Sequence, residues 1–172
     1  LSVPWDAQAS AILSSSDSTQ LRVGIVWAGD PTNERDQIRS VPLSLFAKLF
    51  DIDNVRFFSL QVGRGARELD GTEARVTNLG AKFTDMADTA ASIKEMDLVI
   101  SVDTSVAHLA GALGKPVWLL IATVADWRWF TAREDSPWYP SMRIFRQTSF
   151  MDWKEVLGRV HTALSDLSTG RR

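Results

Sequence analysis

The chain has 172 residues, of which 45% are hydrophobic and 23% charged, and its formal net charge at pH 7 is -2. This length and hydrophobic content suit one domain with a real core, whereas the weak negative charge gives no reason to expect a nucleic acid or an anionic membrane as a partner. There is no cysteine, which excludes disulfides and thiolate metal sites and fits a reducing compartment, and no apolar run approaches the length of about 18 residues that a membrane span needs.

The first part of the chain is expected to lie outside the compact domain. Residues 1–20 end in a polar run at 14–19, which predicts a linker or mobile arm. The chain starts at Leu1 with neither an initiator Met nor a signal-peptide pattern. We therefore expect a piece of a longer protein, with an N-terminal region ahead of it. The domain is expected over residues 21–167, and residues 168–172 are expected to form a tail.

Strands and helices are predicted to alternate along the domain. Segments rich in β-branched and apolar residues indicate strands, and apolar residues at helical spacing indicate helices between them. The strands are expected at 21–27, 55–60, 76–79, 98–102 and 116–121, and the helices after Pro42, over 85–95, over about 105–113 and from Asp152 onward. This alternation is typical of a three-layer α/β fold with a doubly wound, parallel, Rossmann-like sheet.

Two of the helices have distinct sequence signals. Pro42 suits a first helical turn, and the helix after it is predicted to bury Leu43, Phe46, Ala47 and Phe50 on one face. At the last helix, Asp152 and Glu155 have the spacing of a capping box. The residues that this helix is expected to bury are Trp153, Val156, Leu157, Val160 and Leu164.

The junction between the fourth strand and its helix is the most informative stretch of the sequence. Positions 98–100 and 102 are apolar, as in a strand buried on both faces. Asp103, Thr104 and Ser105 follow, and all three are residue types that begin helices. A helix N-terminus at the end of a strand carries free amide groups and partial positive charge. The junction therefore predicts an anion site suited to phosphate.

His108 is expected on the outer side of this helix. At the helical angle it lies about 150° from the centre of the predicted buried stripe, on the same side as Thr104. The imidazole should therefore face away from the sheet. This geometry disfavours a core histidine and leaves open a surface position, a ligand contact or a second domain above the strand ends.

Polar loops follow several of the predicted strands at their carboxyl ends. In an open parallel sheet, ligands bind beyond these ends, where the strand order reverses. The loops at 28–40, 61–65, 103–108 and 126–129 are therefore expected to converge. Near Trp127 and Arg128, aromatic planes suit stacking on a nucleobase or a sugar ring. The other reading is that these rings pack a long loop against the sheet or against another domain.

Established catalytic motifs are absent. Gly24 and Gly29 have the spacing of phosphate-loop glycines, but Asp30 and Pro31 stand where that loop requires Lys and Ser or Thr. No G-x-G-x-x-G or G-x-S-x-G pattern is present, which disfavours a dinucleotide cofactor and a serine hydrolase. Two histidines without cysteine make a dedicated zinc site unexpected. We therefore expect neither a metal nor a cofactor.

Linked motifs along the chain nevertheless resemble a known family. They lie at 23–31, 39–40, 57–61, 103–118, 126–129 and 136–140. In this combination they resemble the C-terminal glycosyltransferase-like region of bacterial tetratricopeptide-repeat proteins. That region is similar to the heptosyltransferases and, more distantly, to O-linked N-acetylglucosamine transferases. The resemblance covers nearly all of residues 21–164.

The resemblance implies a GT-B glycosyltransferase, in which two Rossmann-like domains face a cleft. This chain would be the C-terminal half, which binds the nucleotide-sugar donor. Thr104 and Ser105 would hold phosphate oxygens, His108 would face the cleft, and Arg39 would lie near phosphate. The residues expected at the donor site are Asp103, Thr104, Ser105, His108, Gln61, Arg64, Arg39 and Trp127.

Inverting sugar transfer needs a base on the acceptor and neutralisation of the departing diphosphate. The resemblance implies that the base belongs to an N-terminal acceptor domain, so the isolated chain is expected to bind nucleotide and to transfer nothing. The expected partners are that domain and tetratricopeptide repeats in the same polypeptide, and the expected location is the cytoplasm. The alternative is a catalytically silent module of the same fold that docks to a protein segment through a surface of Trp127 and Trp129.

Overall fold

The computed structural model describes residues 20–70 and 75–170, except for the side chain of Arg64. Most of the predicted arm and the end of the predicted tail lie outside these residues. Six strands form one sheet: β1 (Leu21–Val26), β2 (Val55–Ser59), β3 (Val76–Asn78), β4 (Leu98–Val102), β5 (Val117–Ile121) and β6 (Met142–Arg146). The α-helices are α1 (Asp36–Arg39), α2 (Met86–Glu95), α3 (Ser105–Ala112) and α4 (Trp153–Ser168).

All neighbouring strands of the sheet are parallel, in the order β3-β2-β1-β4-β5-β6. The chain builds outward from β1 to β3, crosses back to place β4 beside β1, and then builds outward again to β6. The order therefore reverses between β1 and β4, where the loops after the two strands diverge and leave a crevice. The predicted α/β, Rossmann-like fold is confirmed.

The sheet is buried on both faces, which makes three layers. On one face Val23 and Ile25 of β1 lie in an apolar cluster with Trp153 and Val156 of α4. On the other face Val26 lies in a second cluster that includes side chains from α2 and α3. The α4 helix begins as predicted, because the Asp152 carboxylate accepts from the Glu155 amide, and it buries all five of the expected residues. No helix in the described part of the chain is long and apolar enough to cross a membrane.

The prediction of an α-helix after Pro42 is wrong. Two short 3-10 turns, Leu43–Phe46 and Leu49–Asp51, occupy this segment. The buried residues are Leu43, Phe46 and Leu49, and this spacing of three matches the three residues per turn of a 3-10 helix. Ala47, which the α-helical reading placed in the core, is exposed.

Strand β6 (Met142–Arg146) was not predicted from the sequence. Its neighbour in the sheet is β5, and it is an edge of the sheet, although Arg143 also forms an isolated antiparallel bridge with Asp135. Met142 and Ile144 pack on one face and Phe145 packs on the other, while Arg143 is exposed. This mixture of apolar residues and arginine weakens the strand signal that β4 and β5 show.

The 3-10 packing can be tested by comparing neighbouring positions. Leu49→Ala removes a side chain that is 1% exposed and should lower the free energy of unfolding by about 2–5 kcal/mol. Lys48→Ala changes an exposed side chain and should shift it by less than about 0.5 kcal/mol. Urea unfolding of both variants measures these values, and equal effects at the two positions would contradict this packing.

Candidate functional site

The candidate site lies where the ends of β1 and β4 meet the first turn of α3. Thr104, the residue before this helix, is extended, and its side chain does not cap the helix. Its hydroxyl lies 3.1 Å from the hydroxyl of Ser101 instead. Ser105, the first helical residue, is exposed. The first amide groups of α3 are therefore not covered by the side chain that most often covers them.

Two cavities flank this helix end and share part of their walls. The smaller one, of about 240 Å³, is lined on its far side by residues of the 121–128 segment, including Asp126 and Arg128. The larger one, of about 500 Å³, is lined by loops after β1 and β2, including Gln61 and Val62. Arg39, Thr104 and Ser105 line both cavities. The shared wall therefore consists of a guanidinium and the start of a helix.

The Arg39 side chain is held in place by hydrogen bonds to two neighbours. Its Nε donates to Asp36 at 3.0 Å, and its terminal nitrogen donates to the Asp103 carbonyl at 3.1 Å. The Asp36 carboxylate also accepts from the Ser40 hydroxyl, which in turn accepts from the Gly29 amide. A Cβ on Gly29 would lie 2.3 Å from the guanidinium. The glycine after β1 therefore permits the close approach that places Arg39 across the end of β4.

Asp103 binds the aromatic segment that follows β5. One carboxylate oxygen accepts from the indole nitrogen of Trp129 at 3.0 Å, and the other lies 3.5 Å from Nε2 of His108. Burial disfavours the charged form of this carboxyl, but the hydrogen bonds from His108 and Trp129 outweigh it. The charge of Arg128 adds to that effect, and together these neighbours hold the pKa of Asp103 below its usual value.

His108 lies in the wall of the smaller cavity, under a cover of aromatic side chains. Its ring stacks on Trp129 with centroids 5.3 Å apart, and its Nδ1 lies 3.0 Å from the Tyr139 hydroxyl. The expectation that the imidazole faces away from the sheet did not include this aromatic cover. The buried face of α3 includes Ala107 and Gly111, so it is rotated toward His108 relative to the predicted stripe.

Gln61 is buried, at 3% exposure, and its side chain binds backbone groups. The amide oxygen accepts from the amides of Trp27 and Ala28, at 3.1 and 2.9 Å. The amide nitrogen donates to the carbonyls of Ala28 and Val62, both at 3.0 Å. Gln61 borders the larger cavity, but these bonds make it a clamp between the ends of β1 and β2.

Of the two remaining predicted residues, one has a side chain that the structure does not describe, and the other lines neither cavity. Arg64 belongs to the 3-10 segment Gly63–Leu69, and its side chain lies outside the described part of the structure. Trp127 is 75% exposed and is not among the residues that line either cavity. Trp129 is 1% exposed, so a docking surface made of Trp127 and Trp129 is wrong. The exposed aromatic residues of this region are Trp127, Phe130 and Trp138.

The structure brings to the site three residues that are not among the expected donor-site residues. Arg128, whose Nε pairs with Asp126 at 3.0 Å, lines the smaller cavity with Arg35. Tyr139 reaches His108 from the segment before β6. The motifs at 126–129 and 136–140 contained Arg128 and Tyr139, but contact between these motifs and α3 depends on how the long loop folds. Among the described residues, no group of three or more His, Cys, Asp or Glu side chains is placed to hold a metal ion.

Comparisons with known proteins place the chain in a family. The family model described as glycosyltransferase family 9 (heptosyltransferase) matches residues 54–148, which is more than half of the chain. Protein FlbA from Caulobacter vibrioides is 30% identical over an alignment of 156 residues, and the match covers 86% of this chain and 25% of FlbA. The chain therefore spans a quarter of the length of that relative.

Two solved structures share the fold. The ADP-heptose lps heptosyltransferase II of E. coli superposes with a TM-score of 0.67 at 18% identity, over 95% of this chain and 51% of that one. The glycosyl transferase family 9 protein from Veillonella parvula superposes with a TM-score of 0.60 at 17% identity, over 89% of this chain and 42% of that one. The chain thus spans about half the length of each.

The lowered pKa of Asp103 gives a pH-dependent prediction. A carboxyl with a lowered pKa stabilises the fold at pH values above the pKa that it has in the unfolded chain. This contribution is lost as the pH falls through the pKa that it has in the folded chain. Asp103→Asn should therefore cost about 1–3 kcal/mol of unfolding free energy at neutral pH. The deficit should shrink below about pH 4.

Urea unfolding between about pH 2 and pH 7 tests this prediction across the carboxyl range. Trp129→Phe is the matched variant, because it removes the indole donor and leaves the carboxylate. It should lower stability at neutral pH and shift the acid transition upward. A constant difference between Asp103→Asn and the wild type over the whole range would contradict the assignment.

Proposed function

Because this chain belongs to glycosyltransferase family 9, the heptosyltransferase family, we propose that it is the donor-binding domain of a glycosyltransferase. Enzymes of this family use nucleotide-sugar donors. In the proposal, the diphosphate of the donor lies against Arg39 and the first turn of α3. The observation that carries it is the wall shared by the two cavities, which consists of Arg39, Thr104 and Ser105.

The chemistry of this wall suits a diphosphate. The amides at a helix start point toward a bound anion, and the helix dipole favours negative charge there. The Arg39 guanidinium adds charged donors of fixed geometry, which match phosphate oxygens. Because Asp36 and the Asp103 carbonyl already hold this side chain, little of its conformational freedom would be lost on binding.

The two cavities suit the two ends of a nucleotide-sugar. The larger cavity has apolar side chains in its wall, among them Leu60, Val62 and Val106, and such a surface suits the faces of a nucleobase. The smaller cavity has charged and polar side chains, including Asp126 and Arg128, which suit a sugar with many hydroxyl groups. We assign the base to the larger cavity and the sugar to the smaller one.

The whole protein is proposed to be a GT-B enzyme of which this chain is the C-terminal half. The coverage of about half of each structural relative supports this. An N-terminal acceptor domain and tetratricopeptide repeats would complete the polypeptide, and the share of FlbA that the chain covers leaves ample room for both. A cytoplasmic location is proposed from the absence of cysteine.

One observation favours a second function, a catalytically silent interaction module. Asp103 and His108 are both hydrogen-bonded by aromatic residues of the loop between β5 and β6. Three other large aromatic residues of this loop are exposed. In this alternative, the surface of Trp127, Phe130 and Trp138 docks a protein partner, and the cavities bind no nucleotide. Titration with nucleotides separates the two functions.

Calorimetric titration with UDP, GDP and ADP tests donor binding. At least one of them should bind, and Arg39→Ala should weaken it about 10-fold or more, as the loss of a charged hydrogen bond predicts. The double variant Thr104→Ala, Ser105→Ala should weaken it less, because the helix amides remain. Lys154→Ala, an exposed change on α4, is the control. Absence of binding by all three, or full affinity in a folded Arg39→Ala variant, would contradict the proposal.

The isolated chain is expected to transfer no sugar. A general base needs a pKa near the working pH, and the lowered pKa of Asp103 makes this carboxylate a poor one. The acceptor base is assigned to the other domain. Incubation of the chain with nucleotide-sugars, followed by measurement of free nucleoside diphosphate, should give no release above a protein-free blank. Transfer to an added acceptor by this chain alone would refute the assignment.

A further inference from the structure

We propose that Tyr139 is a positioning residue, which fixes the His108 imidazole in the wall of the smaller cavity with its proton on Nε2. Among the described residues, Tyr139 is the side chain that reaches the inner nitrogen of this ring, Nδ1. Tyr139 lines neither cavity, and its position follows from the packing of the segment before β6 against α3.

The Tyr139 ring is seated on α3 by a glycine. A Cβ on Gly111 would lie 2.6 Å from Cγ of Tyr139, so the ring lies directly on the helix backbone. Gly111 comes three residues after His108, on a neighbouring part of the same helix surface. From this seat, the Tyr139 hydroxyl lies 3.0 Å from Nδ1 of His108. The backbone amide of Tyr139 also donates to the Ser136 hydroxyl, which holds the segment in position.

The outer nitrogen of His108, Nε2, faces one neighbour that can only accept a hydrogen bond and one that can only donate it. The Asp103 carboxylate, 3.5 Å from Nε2, accepts protons only, whereas the Arg128 guanidinium, 3.4 Å from Nε2, donates only. A proton on Nε2 suits Asp103, and a lone pair there suits Arg128. The two contacts therefore belong to different tautomers of the neutral ring.

The partners of Asp103 and Arg128 decide between the tautomers. Arg128 already has a carboxylate partner in Asp126, at 3.0 Å. Asp103 has one oxygen bound to Trp129, and for the other oxygen His108 is the donor that the described residues supply. A proton on Nε2 therefore satisfies the ionised carboxylate, and Nδ1 then carries a lone pair. The Tyr139 hydroxyl can donate or accept, and in this tautomer it donates to that lone pair.

This arrangement fixes the imidazole in the cavity wall. Stacking on Trp129 sets the plane of the ring, and the hydrogen bond with Tyr139 sets its rotation within that plane. The N–H at Nε2 is then directed to the Asp103 carboxylate. The tautomer does not depend on the proposed function.

Nitrogen-15 NMR of the imidazoles tests the proposal directly, because the chain has two histidines and His161→Gln assigns the signals. In the wild type, Nδ1 of His108 should resonate as a non-protonated nitrogen that accepts a hydrogen bond. In Tyr139→Phe, which keeps the ring on Gly111, this signal should move toward the value of a non-protonated nitrogen without a donor. Arg133→Gln, in the same segment but paired with Asp135, is the control and should leave it unchanged.

Two results would overturn the proposal. One is a wild-type spectrum with the proton on Nδ1, and the other is an unchanged Nδ1 signal in a folded Tyr139→Phe variant. Gly111→Ala provides a second measurement, because it keeps the hydroxyl and displaces its ring, and it should shift the Nδ1 signal as well. No nucleotide is present in these spectra, so failure of nucleotide binding in calorimetry would refute the proposed function and leave this result standing.

Discussion

The pairing of β1 with β4 is the constraint on which the candidate site depends. These strands are separated by more than 70 residues of chain, but parallel pairing from Val23 with Leu98 to Val26 with Ser101 brings their carboxyl ends side by side. Loops from the two halves of the sheet then meet over one crevice. The Arg39 side chain spans this crevice and donates to the Asp103 carbonyl. This hydrogen bond therefore links the loops that the strand order separates.

A single carboxylate organises the other side of the crevice. Asp103 is partly buried, and a carboxylate in such a place must find donors or lose its charge. It finds them in Trp129 and His108, and through them it attaches the long segment between β5 and β6 to α3. The charge of Asp103 therefore also serves to fold the loop that forms the wall of the smaller cavity.

Most of the sheet and the helix start could be predicted from sequence because they depend on local patterns. The apolar run at β4, the hydroxyl residues after it and the capping spacing at Asp152 each carry their own signal. The 3-10 turns after Pro42 could not be recognised, since spacings of three and four residues share most of their positions over so short a segment. The position of Tyr139 could not be predicted either, because its contact with Gly111 joins the loop before β6 to α3. The family resemblance indicated which loops matter, but not which of their side chains touch.

The wall shared by the two cavities has a thermodynamic consequence for any ligand that spans it. A molecule held in one cavity places its other end beside the second cavity, and that second contact then forms at high effective concentration. The two halves of such a molecule, offered separately, would each bear the full entropic cost of association and would bind far more weakly than the joined molecule. A site of this shape thus distinguishes an intact conjugate from its fragments by connectivity, without a dedicated contact at the bond that joins them.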